Sequence, residues 1–249
     1  MKGSLQRQQS ESMTEQTKVN VGLMSWLLGF VAGYADTTTF ICANRLFSAR
    51  ITGNLVILVY SVLTNPHSSI WLNLLSFPSF IAAVAVTSAI VSNSKYPGNV
   101  LRLEAILLLM VGLVAAILKL TGLENNGFTF CLAIVIVFAM GLQNGFSRLY
   151  PYTTYSPTTI MTGNLTQFTF DVMRRIKTKS DFGELNHGLK KQGLIIGSFF
   201  MGCIMGGVIS YFTGLPAMIL PGVIMLYFWS ARKKLILIDA NKNEMIQKT

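Results

Sequence analysis

The chain has 249 residues, of which 51% are hydrophobic and only 12% are charged. Soluble domains usually carry about 25% charged residues, so this chain has too few ionic groups to cover a water-facing surface. Its net charge of +10 does not require a nucleic-acid partner, because Lys and Arg accumulate in the cytoplasmic loops of membrane proteins. Composition therefore favours an all-α integral membrane protein over a soluble domain.

The first segment, residues 1–20, is polar and mixed in charge. This composition predicts a disordered tail, and no short apolar region ends in a small-residue cleavage site. We therefore expect the apolar run that follows to be retained as the first membrane segment.

Eight hydrophobic segments follow along the chain, since about 20 mostly apolar residues are needed to cross a bilayer. They are Val21–Cys42, Ile51–Thr64, Ile70–Ser92, Leu103–Leu120, Phe128–Phe146, Thr158–Met173, Gly193–Phe212 and Leu215–Trp229. The second segment is short and the sixth is rich in polar residues, so the sequence predicts six to eight spans, with these two short or re-entrant.

The same four residues occur in both weak segments, as Thr52-Gly53-Asn54-Leu55 and Thr162-Gly163-Asn164-Leu165. A repeated motif suggests duplication. We expect a first membrane repeat over residues 21–122, a second over residues 128–232, and a basic cytoplasmic tail over residues 233–249.

Small residues spaced by four follow each motif and indicate close helix packing. The first set is Ser79, Ala83 and Thr87, and the second is Ser198, Gly202 and Gly206. Each set falls on one helical face, so each is expected to lie against a neighbouring helix.

Two topologies fit the segments. If all eight cross, the halves point the same way; if the two weak segments are re-entrant, the chain has six spans and the halves are inverted. Both arrangements place most Lys and Arg on the side of the two tails, so the positive-inside rule does not separate them. In both, the termini are cytoplasmic and the loop after the sixth segment is a basic surface for anionic lipid. The residues of this predicted lipid surface are Arg174, Arg175, Lys177 and Lys179.

Asp36 is the only acidic residue predicted well inside an apolar segment, whereas Glu104 and Asp171 lie near segment ends, where we expect them to reach water. An acidic residue at mid-membrane costs about 2.5–3.5 kcal/mol on insertion scales and is usually functional. Asp36 is therefore either a site for a cation or a proton, or a protonated side chain that bonds to a neighbouring helix. Arg148 either pairs with Asp36 or reaches the membrane interface.

The two motifs combine Gly, which permits a break or a close backbone approach, with hydroxyl and amide groups that can bind a ligand. Broken helices in matching positions of two halves often form transport sites. The alternative is that Thr and Asn only hold helices together. The candidate substrate-binding residues are Asp36, Thr37, Thr52, Gly53, Asn54, Gln143, Asn144, Thr162, Gly163 and Asn164.

No catalytic constellation, metal cluster or cofactor motif is present in the sequence. The three cysteines, Cys42, Cys131 and Cys203, form no paired motif. Enzyme activity, a cofactor and a metal are therefore not predicted.

The order of these motifs resembles the YoaK-type family of uncharacterised multi-pass transmembrane proteins. The first half is similar in Gly33-Tyr34-Ala35-Asp36, Phe47 and Thr52-Gly53-Asn54. The second half is similar in Gly141-Leu142-Gln143-Asn144, Arg148, Thr158-Thr159 and Met161-Thr162-Gly163-Asn164. In the first half, Ile51 replaces a Met that is common in the family. The resemblance implies a multi-pass cell-membrane protein of about six spans, and the family has no assigned biochemical activity.

Two functions follow as hypotheses. The first is a small-solute or ion transporter or channel with a site between the two halves, in which Asp36 binds a cation or carries a proton. The second is a structural or regulatory membrane protein whose basic loop binds anionic lipid or a partner protein.

Overall fold

The computed structural model describes residues 2–64, 70–93, 98–151, 161–177 and 183–231, and every regular element within these ranges is a helix. The helices are α1 (Lys2–Cys42), α2 (Ile51–Thr64), α3 (Ile70–Asn93), α4 (Asn99–Leu120), α5 (Asn126–Leu149), α6 (Met161–Lys177), α7 (Gly183–Thr213) and α8 (Leu215–Ala231), whose first turn, Leu215–Met218, is a 3-10 turn. The predicted all-α class is confirmed.

Four helices are long and apolar enough to cross a membrane: α3, α4, α5 and the Gly188–Thr213 part of α7. The shorter α2 and α8 are also apolar. Large apolar side chains, among them Trp71, Tyr211 and Phe212, lie exposed on the outer surface of the helices. An outer surface of this kind is stable in lipid, so the chain is a membrane protein.

Four helices begin earlier than predicted. Helix α1 starts at Lys2 and so includes residues 2–20, where polar composition predicts disorder; Gln, Glu, Lys and Met are nevertheless good helix formers. Helix α4 starts at Asn99 instead of Leu103, α5 at Asn126 instead of Phe128, and α7 at Gly183 instead of Gly193. In each case the helix extends into a stretch that contains polar residues, before the apolar run from which its start was predicted.

Helix α1 packs along α7, and the two run parallel. Gly29 lies against Ser198, and Gly33 against Phe199 and Cys203. A methyl group at Gly202 would overlap the carbonyl oxygen of Phe30, and Gly206 lies against the backbone of Tyr34. The contacts advance in the same direction along both helices, and the predicted small-residue face of α7 is confirmed as a helix contact.

Helices α3 and α5 form a second parallel pair. The Ser79 hydroxyl donates to the carbonyl of Ile134 at 3.2 Å. Further along both helices, Gly141 lies against Ala83 and Gly145 against Thr87. The predicted small-residue face of α3 is therefore also confirmed as a helix contact.

Helices α4 and α8 run antiparallel, since Gly112 lies against Ile219 while Gly222 lies against Leu109. Lys119, at the end of α4, donates to the carbonyl of Thr213, at the end of α7, so α4 and α7 point the same way. A short connection reverses the chain between α4 and α5. The parallel pairs are α1 with α7 and α3 with α5. It follows that α1 runs in the opposite direction to α3, and that α5 runs in the opposite direction to α7.

Candidate functional site

Segment 43–50 turns back along α1 after that helix ends at Cys42. Two residues in the turn, Asn44 and Arg45, have positive φ angles of 50° and 65°. A left-handed conformation is unfavourable for Arg, which identifies this reversal as locally strained. The Arg45 amide donates to the carbonyl of Phe40 at 3.1 Å, which closes the end of the helix.

The reversed segment surrounds the carboxylate of Asp36, whose side chain is 1% exposed. The Ala49 amide and the Ser48 hydroxyl donate to Oδ1 at 2.6 Å and 3.3 Å. The Arg50 Nε donates to Oδ2 at 2.8 Å and forms an ion pair with it. Charge-assisted bonds thus hold the Asp36 side chain, and its cation is Arg50. Of the two alternatives for Arg148, the pairing with Asp36 is wrong, and Arg148 is exposed.

Arg50 is the accessible half of this pair, because 42% of its side chain is exposed. Its guanidinium lies over the Phe47 ring at 5.1 Å and over the Phe199 ring of α7 at 4.9 Å. Cation–π contacts of this type stabilise a partly desolvated cation. The pair therefore links α1, the reversed segment and α7 at one point.

The first motif begins α2 instead of breaking it, so the alternative of a helix break at the glycine is wrong for Gly53. The Asn54 Oδ1 atom accepts a hydrogen bond from the backbone N–H of Phe47, and Asn54 Nδ2 donates to the Phe47 carbonyl, both at 2.8 Å. Asn54 Nδ2 also donates to Ser76 Oγ at 3.1 Å. A Cβ at Gly53 would lie 2.8 Å from the Phe47 ring, so the glycine permits a close approach. Thr52 is exposed.

The second motif likewise begins α6, so the alternative of a helix break at Gly163 is also wrong. Asn164 is buried, and its Nδ2 has no hydrogen-bond partner among the residues that the structure describes. Thr162 and Gly163 are exposed. Nearby in the second half, Gln143 is buried and donates to the carbonyl of Leu28 in α1 at 2.9 Å.

The predicted site residues fall into two groups. Asp36 and Asn54 are brought together by segment 43–50, whose Arg50 lies over the Phe199 ring of α7. Helix α6 contacts α7 nearer its start, where the Phe168 ring lies beside Gly193. The remaining predicted residues, Thr37 and Asn144, are half-buried, and the Thr37 hydroxyl donates to its own helix at Gly33.

Glu104 and Asp171 do not reach water as expected. Glu104 is 0% exposed, because α4 starts before it and turns it towards the interior. Asp171 is buried where the early start of α7 covers it near Gly188, and it accepts a bond from Gln167 at 2.9 Å. Both predictions of water access are wrong, because each was based on the length of an apolar run and not on the helix that covers the residue.

The basic loop is described in part. Helix α6 ends in Arg174, Arg175 and Lys177, whereas Lys179 lies outside the described residues. A groove of about 550 Å³ runs beside this end of the helix. Its lining combines basic and apolar side chains, namely Gln167, Phe170, Asp171, Met173, Arg174 and Lys177.

Sequence reasoning missed Arg50, Ser48, Phe199 and Ser76 as site residues. Arg50 is the one for which a signal existed, since it is a cation directly before an apolar segment and close in sequence to Asp36. No three His, Cys, Asp or Glu side chains within the described ranges are grouped as a metal site.

One comparison with known proteins finds a match. Residues 24–230 match the family described as protein of unknown function (DUF1275). The chain belongs to this family. The expected membership of an uncharacterised membrane family is thereby confirmed, and the match covers helices α2 to α7 completely. No curated protein and no solved structure matches the chain.

Proposed function

We propose that this DUF1275 protein is a transporter or channel for a small solute or ion in the cell membrane. The observation that carries the proposal is the buried Asp36 carboxylate, bound to a half-exposed Arg50 inside a reversed segment. Intramembrane ion pairs are costly and are usually found along solute pathways. Irregular backbone at membrane depth is tolerated where it lines a cavity or is buried in protein.

The proposed architecture is six spans in two inverted halves. Support comes from the opposite directions of α1 and α3, and of α5 and α7. An odd number of crossings between α1 and α3 would make them parallel, so in this proposal α2 and α6 enter the membrane and leave on the same side. Inverted repeats with paired re-entrant elements are a common basis of alternating access. Both termini are then on the cytoplasmic side.

The Asp36–Arg50 pair is the proposed gate at one side of the pathway. The exposed guanidinium offers donors to an anionic group of the solute, while Asp36 holds Arg50 in place. A cation that reaches Asp36, as the sequence suggests, must first displace Arg50. The buried Asn164 amide, together with Gln143 and Asn144, is proposed to form the corresponding polar region nearer the other side.

A vesicle assay tests the function. Proteoliposomes are shocked with NaCl, KCl, sodium acetate, sodium phosphate or glycerol, and re-swelling is followed by stopped-flow light scattering. Wild-type protein should accelerate re-swelling for at least one of these, and Asp36→Asn should slow that rate roughly tenfold, which corresponds to about 1.4 kcal/mol in the barrier. Glu124→Gln, an exposed carboxyl in the α4–α5 connection, is the matched control. Rates equal to empty vesicles, or equal in wild type and Asp36→Asn, would refute the proposal.

A second candidate function is favoured by the groove beside α6. Arg174 and Lys177 suit the headgroup of an anionic lipid, and Phe170 and Met173 suit its acyl chains, at about 1 kcal/mol per basic residue near the surface. In the same vesicles, replacement of both basic residues by Gln should leave flux unchanged if transport depends on the Asp36 site. Loss of flux in the variant without Arg174 and Lys177, but not in Asp36→Asn, would favour regulation by lipid.

A further inference from the structure

Glu104 is a buried acid that the proposed pathway does not use. It is 0% exposed, and neither carboxyl oxygen has a hydrogen-bond partner among the described residues. It lies on the inward stripe of α4, between Leu101 and Leu108 and beside Ala105. These three apolar residues belong to the buried cluster that joins α4 to α1, α5 and α8.

The other two buried acids among the described residues have donors. Asp36 is bound by Arg50 and by a backbone amide, and Asp171 accepts a bond from Gln167. An ionised carboxylate in an apolar interior is strongly unfavourable unless a donor, a cation or a proton compensates it. Glu104 lacks a donor within the described residues, and its neighbours on the inward stripe are apolar, so a proton compensates it.

The cations on α4 are engaged elsewhere. Arg102 is exposed and lies over the Trp229 ring at 4.9 Å. Lys119 donates to the Thr213 carbonyl at the opposite end of the helix. Counted along the helices from the Lys119–Thr213 contact at about 1.5 Å per residue, Glu104 lies roughly 12 Å further from that contact than Asp36 does. It is therefore distinct from the Asp36–Arg50 pair.

We infer that Glu104 is a proton-binding site in the interior between α1, α4, α5 and α8. An alkali-metal ion needs several oxygen ligands, and the Leu101, Ala105 and Leu108 side chains beside Glu104 supply none. A role in coupling a proton to solute movement would rest on the proposed transport function. Occupancy of the site does not, so it is tested without a flux measurement.

The probe is N,N′-dicyclohexylcarbodiimide, an apolar reagent that enters membrane interiors. The protonated carboxyl adds its O–H across one C=N bond, the proton goes to nitrogen, and the O-acylisourea rearranges internally to a stable N-acylurea with no leaving group. Wild-type protein in lipid nanodiscs is treated in sodium-free choline chloride. The adduct is then located by mass spectrometry of peptides.

One adduct per chain on the Glu104 peptide is expected, absent in Glu104→Gln and unchanged in Glu124→Gln. NaCl or KCl then replaces choline chloride at equal ionic strength, and labelling should stay constant because the ligand is a proton. A roughly tenfold fall in labelling, expected by mass action at a salt concentration about ten times the dissociation constant of a bound metal ion, would overturn the inference.

The inference is overturned if Glu104 stays unlabelled in the folded protein in every buffer, while the same residue is labelled after unfolding in dodecyl sulfate. The main readout is made on the wild-type chain, so it does not depend on whether a variant folds. Failure of the vesicle assay with successful labelling would reject the transport proposal and keep the proton site.

Discussion

Gly202→Ala is expected to lower the free energy of unfolding by about 3 kcal/mol, at the upper end of overpacking effects. The added methyl group would overlap the Phe30 carbonyl oxygen and lie 2.9 Å from the Tyr34 amide nitrogen, both backbone atoms of α1. Backbone in a helix cannot move locally, so α1 and α7 must separate and lose their contact. Thermal unfolding in detergent, followed by circular dichroism, measures the loss.

Gly197→Ala is the matched control on the same helix, because a Cβ there meets nothing within 4 Å. Removal of glycine flexibility in a helix should leave stability unchanged or raise it by about 0.5–1 kcal/mol. Equal effects of the two substitutions would show that α7 does not pack on α1 through Gly202.

Asp36→Ala is expected to destabilise the folded protein by about 3 kcal/mol. Loss of one partner from a buried ion pair costs about 3–5 kcal/mol, and the lower end applies because Arg50 is partly exposed. The Ala49 amide also loses its acceptor. Chemical unfolding of Asp36→Ala, Arg50→Gln and the double variant measures the coupling.

The double variant should be more stable than the sum of the single effects predicts, by about 1 kcal/mol or more, since no charge is left without its partner. Lys119→Gln removes an exposed cation bound to a carbonyl and should change stability by less than about 1 kcal/mol. Additive single effects at Asp36 and Arg50 would contradict the ion pair.

The helices were predictable because their signal is local. The bounds of α2, Ile51–Thr64, agree with the predicted segment, since it is an apolar run between polar stretches. The faces of small residues were also predictable, because a spacing of four fixes one side of a helix. Their partners were not, since Gly202 meets Phe30 only after α1 and α7 align.

In the candidate site, the acidic residue Asp36 was predictable from the sequence, whereas its partner cation, Arg50, was not. Asp36 is conspicuous in an apolar run, but its link to Arg50 depends on the chain reversal at Asn44 and Arg45. Asn54 was identified from a repeated motif, whereas its role in binding the Phe47 backbone follows from the same reversal. Burial of Glu104 depends on where α4 starts and on what covers it, and neither is encoded in one segment.

The direction of the helices decides between six spans and eight, and site-specific labelling tests it most directly. Single cysteines replace Thr64, Glu124 or Lys177 in a chain without Cys42, Cys131 and Cys203, and intact cells are treated with a membrane-impermeant maleimide. Six spans with inverted halves predict that Thr64 and Glu124 are labelled from one side of the membrane and Lys177 only from the other. Labelling of all three positions from the same side would contradict re-entrant α2 and α6, and with them the proposed pathway.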